Sequence, residues 1–191
     1  LPYPRWERNA IEIASSALYV ENWFLAAMSV NYSALNDSAS VAQHYWSLSV
    51  EEQFYLIWPI LMLAAVVVRV RTPRVVSRRR RVLLALSLIA CLSFAASVLY
   101  TDAFPSQAYF VTFTRAWEFA VGGLVALAAH RLTLSRASAN VLAAGGFAAI
   151  FIALFAFGDH TPFPGAAALV PVLGTAAIIA AGSTHVPLFH A

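Results

Sequence analysis

The sequence predicts an all-α fold: a polytopic integral membrane helical bundle with five charge-poor spans and a sixth, interrupted segment. Three observations carry this reading. Of 191 residues, 61% are hydrophobic and only 11% charged, whereas a soluble domain runs nearer half apolar and a quarter charged. The mean hydropathy is +0.72. Finally, apolar runs of about 20 residues, the length a spanning helix needs, alternate with connectors that hold most of the charge. An ordinary soluble domain, a disordered tail and a disulfide scaffold are excluded, the last because Cys91 is the only cysteine.

The elements follow in order. Residues 10–30 are the interrupted segment, because Glu12, Glu21 and Asn22 fall within it. It either spans or lies re-entrant or along the interface. Residues 49–68 form the next span, with Glu51 and Glu52 confined to its start. Residues 82–100 carry no charge, and 109–129 form a span with Arg115 and Glu118 inside it. Residues 137–157 are again uncharged. From 161 onward Asp, Glu, Lys and Arg are absent, and 166–184 is the spanning part. Gly122, Gly123, Gly145, Gly146 and Gly174 let helices approach closely in lipid.

All 12 basic residues are arginine. The connector at 69–81 holds Arg69, Arg71, Arg74 and Arg78–Arg81, and the connector at 130–136 holds Arg131 and Arg136. The connectors at 31–45, 101–108 and 158–165 hold instead Asp37, Asp102 and Asp159. The positive-inside rule places the two basic connectors in the cytoplasm and the three acidic ones outside. Helix 49–68 then runs from outside to inside. The side of Arg5 and Arg8 depends on whether 10–30 spans. The net charge of +3 is therefore a topology signal and not a nucleic-acid footprint. The run Arg78–Arg81 has two readings, anionic lipid headgroups or the phosphates of a nucleotide-like acyl carrier. Cys91 reads as a small packing residue, and no Cys/His spacing suggests zinc.

The chemically informative stretch is residues 43–59, QHYWSLSVEEQFYLIWP. Ser49 followed by Glu52 three residues on has the form of a capping box, and both glutamates would sit at the positive end of the helix dipole. Capping accounts for one carboxylate more easily than for two. Helical spacing puts Glu51, Tyr55 and Trp58 on one stripe and Glu52, Tyr55 and Pro59 on the next. Pro59 frees the Tyr55 carbonyl and predicts a kink. A polar cleft at the outer face, lined by His44, Glu51, Glu52 and Tyr55, is one reading; cap and anchor is the other. Arg115 and Glu118 are three apart and share a helix face. The boundary at 109 puts Arg115 about 9 Å into its helix, where a charge marks either a functional site or an ion pair locking two helices. In the turn GDHTPFPG at 158–165, Asp159 and His160 either touch a polar substrate or are solvated. His130, His185 and His190 sit at membrane edges. No phosphate-binding glycine loop, GxSxG elbow or HExxH pattern is present.

The run from His44 to Pro59 resembles the hallmark of the membrane-bound acyltransferase 3 family, bacterial proteins that O-acylate surface polysaccharides. Collinear pieces extend the resemblance across the chain: Leu18-Tyr19-Val20-Glu21-Asn22-Trp23-Phe24, Thr114-Arg115-Ala116-Trp117-Glu118-Phe119 with Gly122, Phe163-Pro164-Gly165, and Leu169-Val170-Pro171-Val172-Leu173-Gly174-Thr175. The resemblance implies that residues 1–191 are the central part of one helical membrane domain of about ten spans. The expected activity moves an acyl group, commonly acetyl, from acyl-CoA to a hydroxyl of an extracytoplasmic carbohydrate or lipid-linked glycan, such as O-antigen lipopolysaccharide. The family's catalytic His and its Arg-x-x-Arg motif would precede Leu1, and its last helices would follow Ala191. Glu51, Glu52 and His44 are then expected to support catalysis, and Tyr55, Trp46, Arg115 and Glu118 to bind substrate. The resemblance implies acetyl-CoA as a donor substrate, with no permanently bound cofactor and no metal expected. The expected partners are the lipid bilayer, the donor and the glycan, and the expected location is the bacterial inner membrane. The family topology favours an outer, re-entrant or interfacial 10–30. The alternative is a non-enzymatic transporter or exporter subunit, using the Arg115–Glu118 pair and the Pro59 kink as a gated pathway. It predicts discontinuous helices in paired halves, and the sequence shows no such internal symmetry.

Overall fold

The computed structural model describes residues 6–32, 42–67, 77–129, 131–158 and 160–183. Among them there are helices and turns and no strands. The elements are α1 (Trp6–Ala17), α2 (Glu21–Tyr32), α3 (Trp46–Val67), α4 (Arg78–Ala103), the short α5 (Pro105–Ala108), α6 (Ala116–Ala129), α7 (Arg136–Ala156) and α8 (Leu169–Gly182). Two 3-10 turns, Gln43–Tyr45 and Thr112–Thr114, precede α3 and α6.

Among the described residues, three stretches are long and apolar enough to cross a membrane: Gln43–Val67, Arg78–Ala103 and Arg136–Ala156. Leu56, Ile60, Leu63, Leu88, Leu92, Phe151 and Phe155 are exposed on their outer faces, the inverse of a soluble helix. The helices α6 and α8 are apolar but have 14 residues each, about 21 Å of rise. The spans expected at 109–129 and 166–184 are thus shorter than their apolar runs. The reason at 109–129 is local hydrogen bonding. The Thr114 hydroxyl bonds the carbonyls of Ala108 and Val111, both at 2.8 Å, and such bonds compete with the helical ladder.

The segment 10–30 is two helices rather than one span. Tyr19, at φ 56°, adopts the left-handed conformation that ends α1. Val20 N–H bonds Ser15 O at 2.9 Å and Tyr19 N–H bonds Ser16 O at 3.1 Å, the paired pattern of a Schellman ending. Neither 12-residue helix is long enough to cross a bilayer.

Two further expectations change at helix starts. Ser49 does not cap α3, which begins three residues earlier; its hydroxyl donates to Tyr45 O at 3.1 Å. The capping serines are Ser77, which accepts from Arg80 N–H, and Ser135, which accepts from Ser138 N–H. Arg78–Arg81 therefore form the first turn of α4 and not a loop. Arg79 Nη2 donates to Leu127 O at 2.6 Å, placing a cation at the negative end of α6 where carbonyls lack helical partners. Arg69, Arg71, Arg74, Arg5, Asp37, Asp159, His130, His185 and His190 lie outside the described residues.

Packing fixes the rest. Ser93 of α4 donates to Phe113 O at 2.6 Å and accepts from Trp117 N–H at 2.9 Å, so α4 caps the start of α6. Trp117 is buried against Phe94, and Phe54 of α3 stacks on Phe119 at 3.9 Å. The helices α7 and α8 meet backbone to backbone. A Cβ at Gly146 would lie 2.5 Å from Gly174 O, and one at Gly174 would lie 2.8 Å from Gly146 O. The bundle thus has two distinct ends. One carries the arginine turn of α4; the other gathers the first turn of α3, the last of α4, α5, the start of α6 and the turn before α8.

Candidate functional site at the aromatic end of the bundle

Arg115 lies between the 3-10 turn and α6, at the helix start rather than about 9 Å inside it. Three elements converge on it. Its guanidinium carbon sits 5.1 Å from the Trp46 ring centroid, 5.2 Å from Tyr109 and 5.7 Å from Phe163. Its Nε donates to Tyr109 O at 3.2 Å. Cations stack on aromatic faces because the ring quadrupole is negative there, and the flat guanidinium suits such a box. Phe163 is held in place from α4: Gly165 N–H donates to Thr101 Oγ1 at 3.1 Å. Gly165 has φ +35°, and a Cβ there would meet Pro162 O at 3.1 Å.

Glu118, one turn along, faces Arg115 with Nη1 to Oε1 at 3.7 Å; the two side chains are 13% and 22% exposed. That is ion-pair range but outside hydrogen-bond range, and Oε1 has no hydrogen-bond partner. The carboxylate opens into a cavity of about 280 Å³ between α6 and α8, lined also by Gly122, Phe163, Val172, Thr175 and Ile179. A charge pair beside an apolar cleft can orient a polar group by its field.

A polar network ties this end together. Asn22 Nδ2 donates to Phe110 O at 3.1 Å and to Thr112 Oγ1 at 2.9 Å. Gln53 Nε2 donates to Asn22 Oδ1 at 2.9 Å and to Tyr19 O at 2.8 Å. Gln53 Oε1 accepts from Thr112 Oγ1 at 2.6 Å and from Trp23 Nε1 at 3.2 Å. Sequence reasoning missed Gln53 and Thr112 as site-forming residues. The available signal was periodicity: Trp46, Ser49 and Gln53 share one face of α3.

The expected site residues separate into two groups. Trp46, Arg115 and Glu118 come together. Glu51, Tyr55 and His44 are exposed, and Glu52 is half-buried on the flank of α3. The structure does not bring these four into the Arg115 box. Glu21, by contrast, is fully buried with neither carboxylate oxygen hydrogen-bonded. Burial pushes its carboxyl up to about 7, and the charge on Glu12 adds to the rise. Glu12 is itself buried and paired with Arg8 at 3.0 Å.

Residues 11–190 match the family model described as an acyltransferase domain. The chain is 33% identical over 114 residues to YrhL of Bacillus subtilis, named for peptidoglycan O-acetyltransfer, covering 59% of this chain and 17% of that protein. It is 33% identical over 172 residues to the peptidoglycan O-acetyltransferase OatA of Listeria monocytogenes, covering 84% and 26%. The O-acetyltransferase OatA of Staphylococcus aureus is 28% identical over 162 residues, covering 81% and 25%. The chain thus spans about a quarter or less of the length of these relatives. No solved structure matches it.

Proposed function

The chain belongs to the acyltransferase-domain family, and we propose that it forms part of an integral-membrane O-acetyltransferase of the bacterial inner membrane. The donor is acyl-CoA, with acetyl the expected group. The acceptor is a hydroxyl of an extracytoplasmic glycan, and the relatives' names favour peptidoglycan over lipopolysaccharide.

The observation that carries this reading is Glu118 facing Arg115 at 3.7 Å beside a cavity that Glu118 helps to line. Acyl transfer develops negative charge on the carbonyl oxygen and frees a proton from the attacking hydroxyl. A fixed guanidinium lowers the energy of the first, and the Glu118 carboxylate at 3.7 Å holds that guanidinium by its charge. Trp46, Tyr109 and Phe163 hold Arg115 in place at no cost in reorganisation. The general base in this reading is the family's His, expected before Leu1. Glu51 and Glu52 of α3 and His44 of the turn before it support that base, with Tyr55 beside them.

The test uses the full-length protein in proteoliposomes with labelled acetyl-CoA and a muropeptide acceptor. Alkali-labile acetyl ester should form on the acceptor, and Glu51→Ala or Glu52→Ala should reduce it at least tenfold with the protein still inserted. Movement of acceptor across the bilayer without ester formation would favour the transporter reading instead. Full activity in both single variants would remove the role given to the paired glutamates.

A further inference from the structure

We propose that the open cleft where the end of α1 meets the start of α3 is the acceptor subsite, in which Tyr19 and Tyr45 bind one sugar unit of the glycan. The proposal rests on the acyltransferase reading above and names the surface that receives its acceptor.

The cleft measures about 420 Å³, and Ile13, Ala17, Tyr19, Tyr45 and Leu48 contribute to its lining. That volume falls within the roughly 300–1,000 Å³ of small-molecule sites. These five residues are exposed, so the cleft is open, and an open cleft admits one unit of a chain that continues on both sides. Its chemistry suits a sugar ring, which has a face of C–H groups and an edge of hydroxyls. Tyrosine matches both, with an apolar ring and a polar tip. Ile13, Ala17 and Leu48 add apolar surface, and no charged residue lines the cleft among the described residues, which suits a neutral ligand.

Tyr19 sits in an unfavourable conformation. Its φ of 56° lies in the left-handed region, which glycine adopts freely and an aromatic residue rarely does. The Schellman ending of α1 uses only backbone groups, so glycine would serve it equally. Gln53 Nε2 donates to Tyr19 O at 2.8 Å and ties that backbone to α3. What tyrosine adds is its ring, and the residue lines the cleft. A rare backbone conformation occupied by a bulky residue points to use of the side chain.

The cleft also lies on the side an extracytoplasmic acceptor requires. The first turn of α3 stands at the end of the bundle opposite the arginine turn of α4. The positive-inside rule assigns the arginine turn to the cytoplasm, and so the cleft to the other side. Leu48 connects it with the paired glutamates. Glu51 and Glu52 follow Leu48 by three and four residues and share its face of α3, about one helical turn, or about 5.4 Å, farther along. A sugar seated on Leu48 and Tyr45 has a hydroxyl within reach of that carboxylate pair.

The experiment uses the full-length protein in proteoliposomes with acetyl-CoA and a muropeptide acceptor, and reads kcat and the KM of each substrate. Tyr19→Gly removes one ring while relieving the backbone, and Tyr45→Ala removes the other. Each should raise the acceptor KM at least about fivefold and leave the acetyl-CoA KM within about twofold of wild type. Tyr19→Gly should do so with an unfolding midpoint at or above wild type, an outcome that a purely structural role for the ring does not give; it carries the test if Tyr45→Ala misfolds. An unchanged acceptor KM in both variants, or equal rises in the KM of donor and acceptor, overturns the proposal. A diazirine-bearing muropeptide, bound without acetyl-CoA, reads the cleft apart from turnover. Crosslinks within residues 13–19 and 42–48, reduced in Tyr19→Gly, support the subsite even if no ester forms, in which case the acyltransferase reading falls alone. Crosslinks confined to other segments overturn the subsite.

Discussion

Replacing Gln53 by Leu should destabilise the protein by about 2–4 kcal/mol. Gln53 makes four side-chain hydrogen bonds, to Tyr19 O, Asn22 Oδ1, Thr112 Oγ1 and Trp23 Nε1. Tyr19 and Trp23 are exposed, so water can replace two of the four and little is lost there. Asn22 is fully buried and Thr112 half-buried. Leaving either without its partner costs on the order of 1–3 kcal/mol. Gln53→Glu separates the terms. It keeps the two accepted bonds, loses the two donated ones, and sets an anion against Asn22 Oδ1. The assay is equilibrium unfolding in detergent of wild type, both single variants, Asn22→Ala and the double variant Gln53→Leu/Asn22→Ala. The double-variant cycle should show coupling of roughly 1 kcal/mol or more. A loss under about 0.5 kcal/mol in Gln53→Leu, or additive effects in the cycle, would refute the claim that this residue joins α2, α3 and the 3-10 turn.

The remaining predictions concern charge and close packing. The Glu21 carboxyl, pushed up to about 7, holds a proton in the folded state that the unfolded chain releases near 4.5. Stability should therefore be full below about pH 4.5 on this account and fall by up to about 3 kcal/mol as pH rises through about 7. Glu21→Gln should flatten that dependence, and thermal unfolding across pH 4–8 reads it; an unaltered profile counts against a buried, protonated Glu21. Gly146→Val should separate α7 from α8, because its Cβ would stand 2.5 Å from the Gly174 carbonyl. A loss of about 3 kcal/mol or more is expected from such overpacking, read as the unfolding midpoint. Gly145→Ala, where a Cβ meets nothing within 4 Å, should leave that midpoint near wild type.

Helical character and the three helices long and apolar enough to cross a membrane were legible in the apolar runs, because such helices need no amphipathic pattern. What periodicity could not show was where helices stop. Tyr19 ends α1 in a left-handed conformation that a tyrosine rarely adopts, and the Thr114 hydroxyl diverts two carbonyls from the helix its apolar neighbours suggest. Ser49 and Glu52 have capping spacing, yet the helix begins at Trp46 and turns Ser49 inward. The pairing of Arg115 with Glu118 was legible from spacing of three. The aromatic box was not, since Trp46, Tyr109 and Phe163 come from distant parts of the chain and only tertiary packing joins them. Gln53 was hidden for a related reason: beside Glu51 and Glu52 it reads as one more polar residue, and only its register with Trp46 sets it on the inner face.

The central claim is that the Arg115–Glu118 cluster serves acyl transfer, and acetyl-ester formation by the full-length protein tests it most directly. Arg115→Lys keeps the charge but loses the planar stack and the bond to Tyr109 O; Glu118→Gln keeps the shape but loses the carboxylate. The account predicts that each lowers kcat/KM at least tenfold, with an unfolding midpoint near wild type in Glu118→Gln. Both variants acetylating the glycan at the wild-type rate would contradict it.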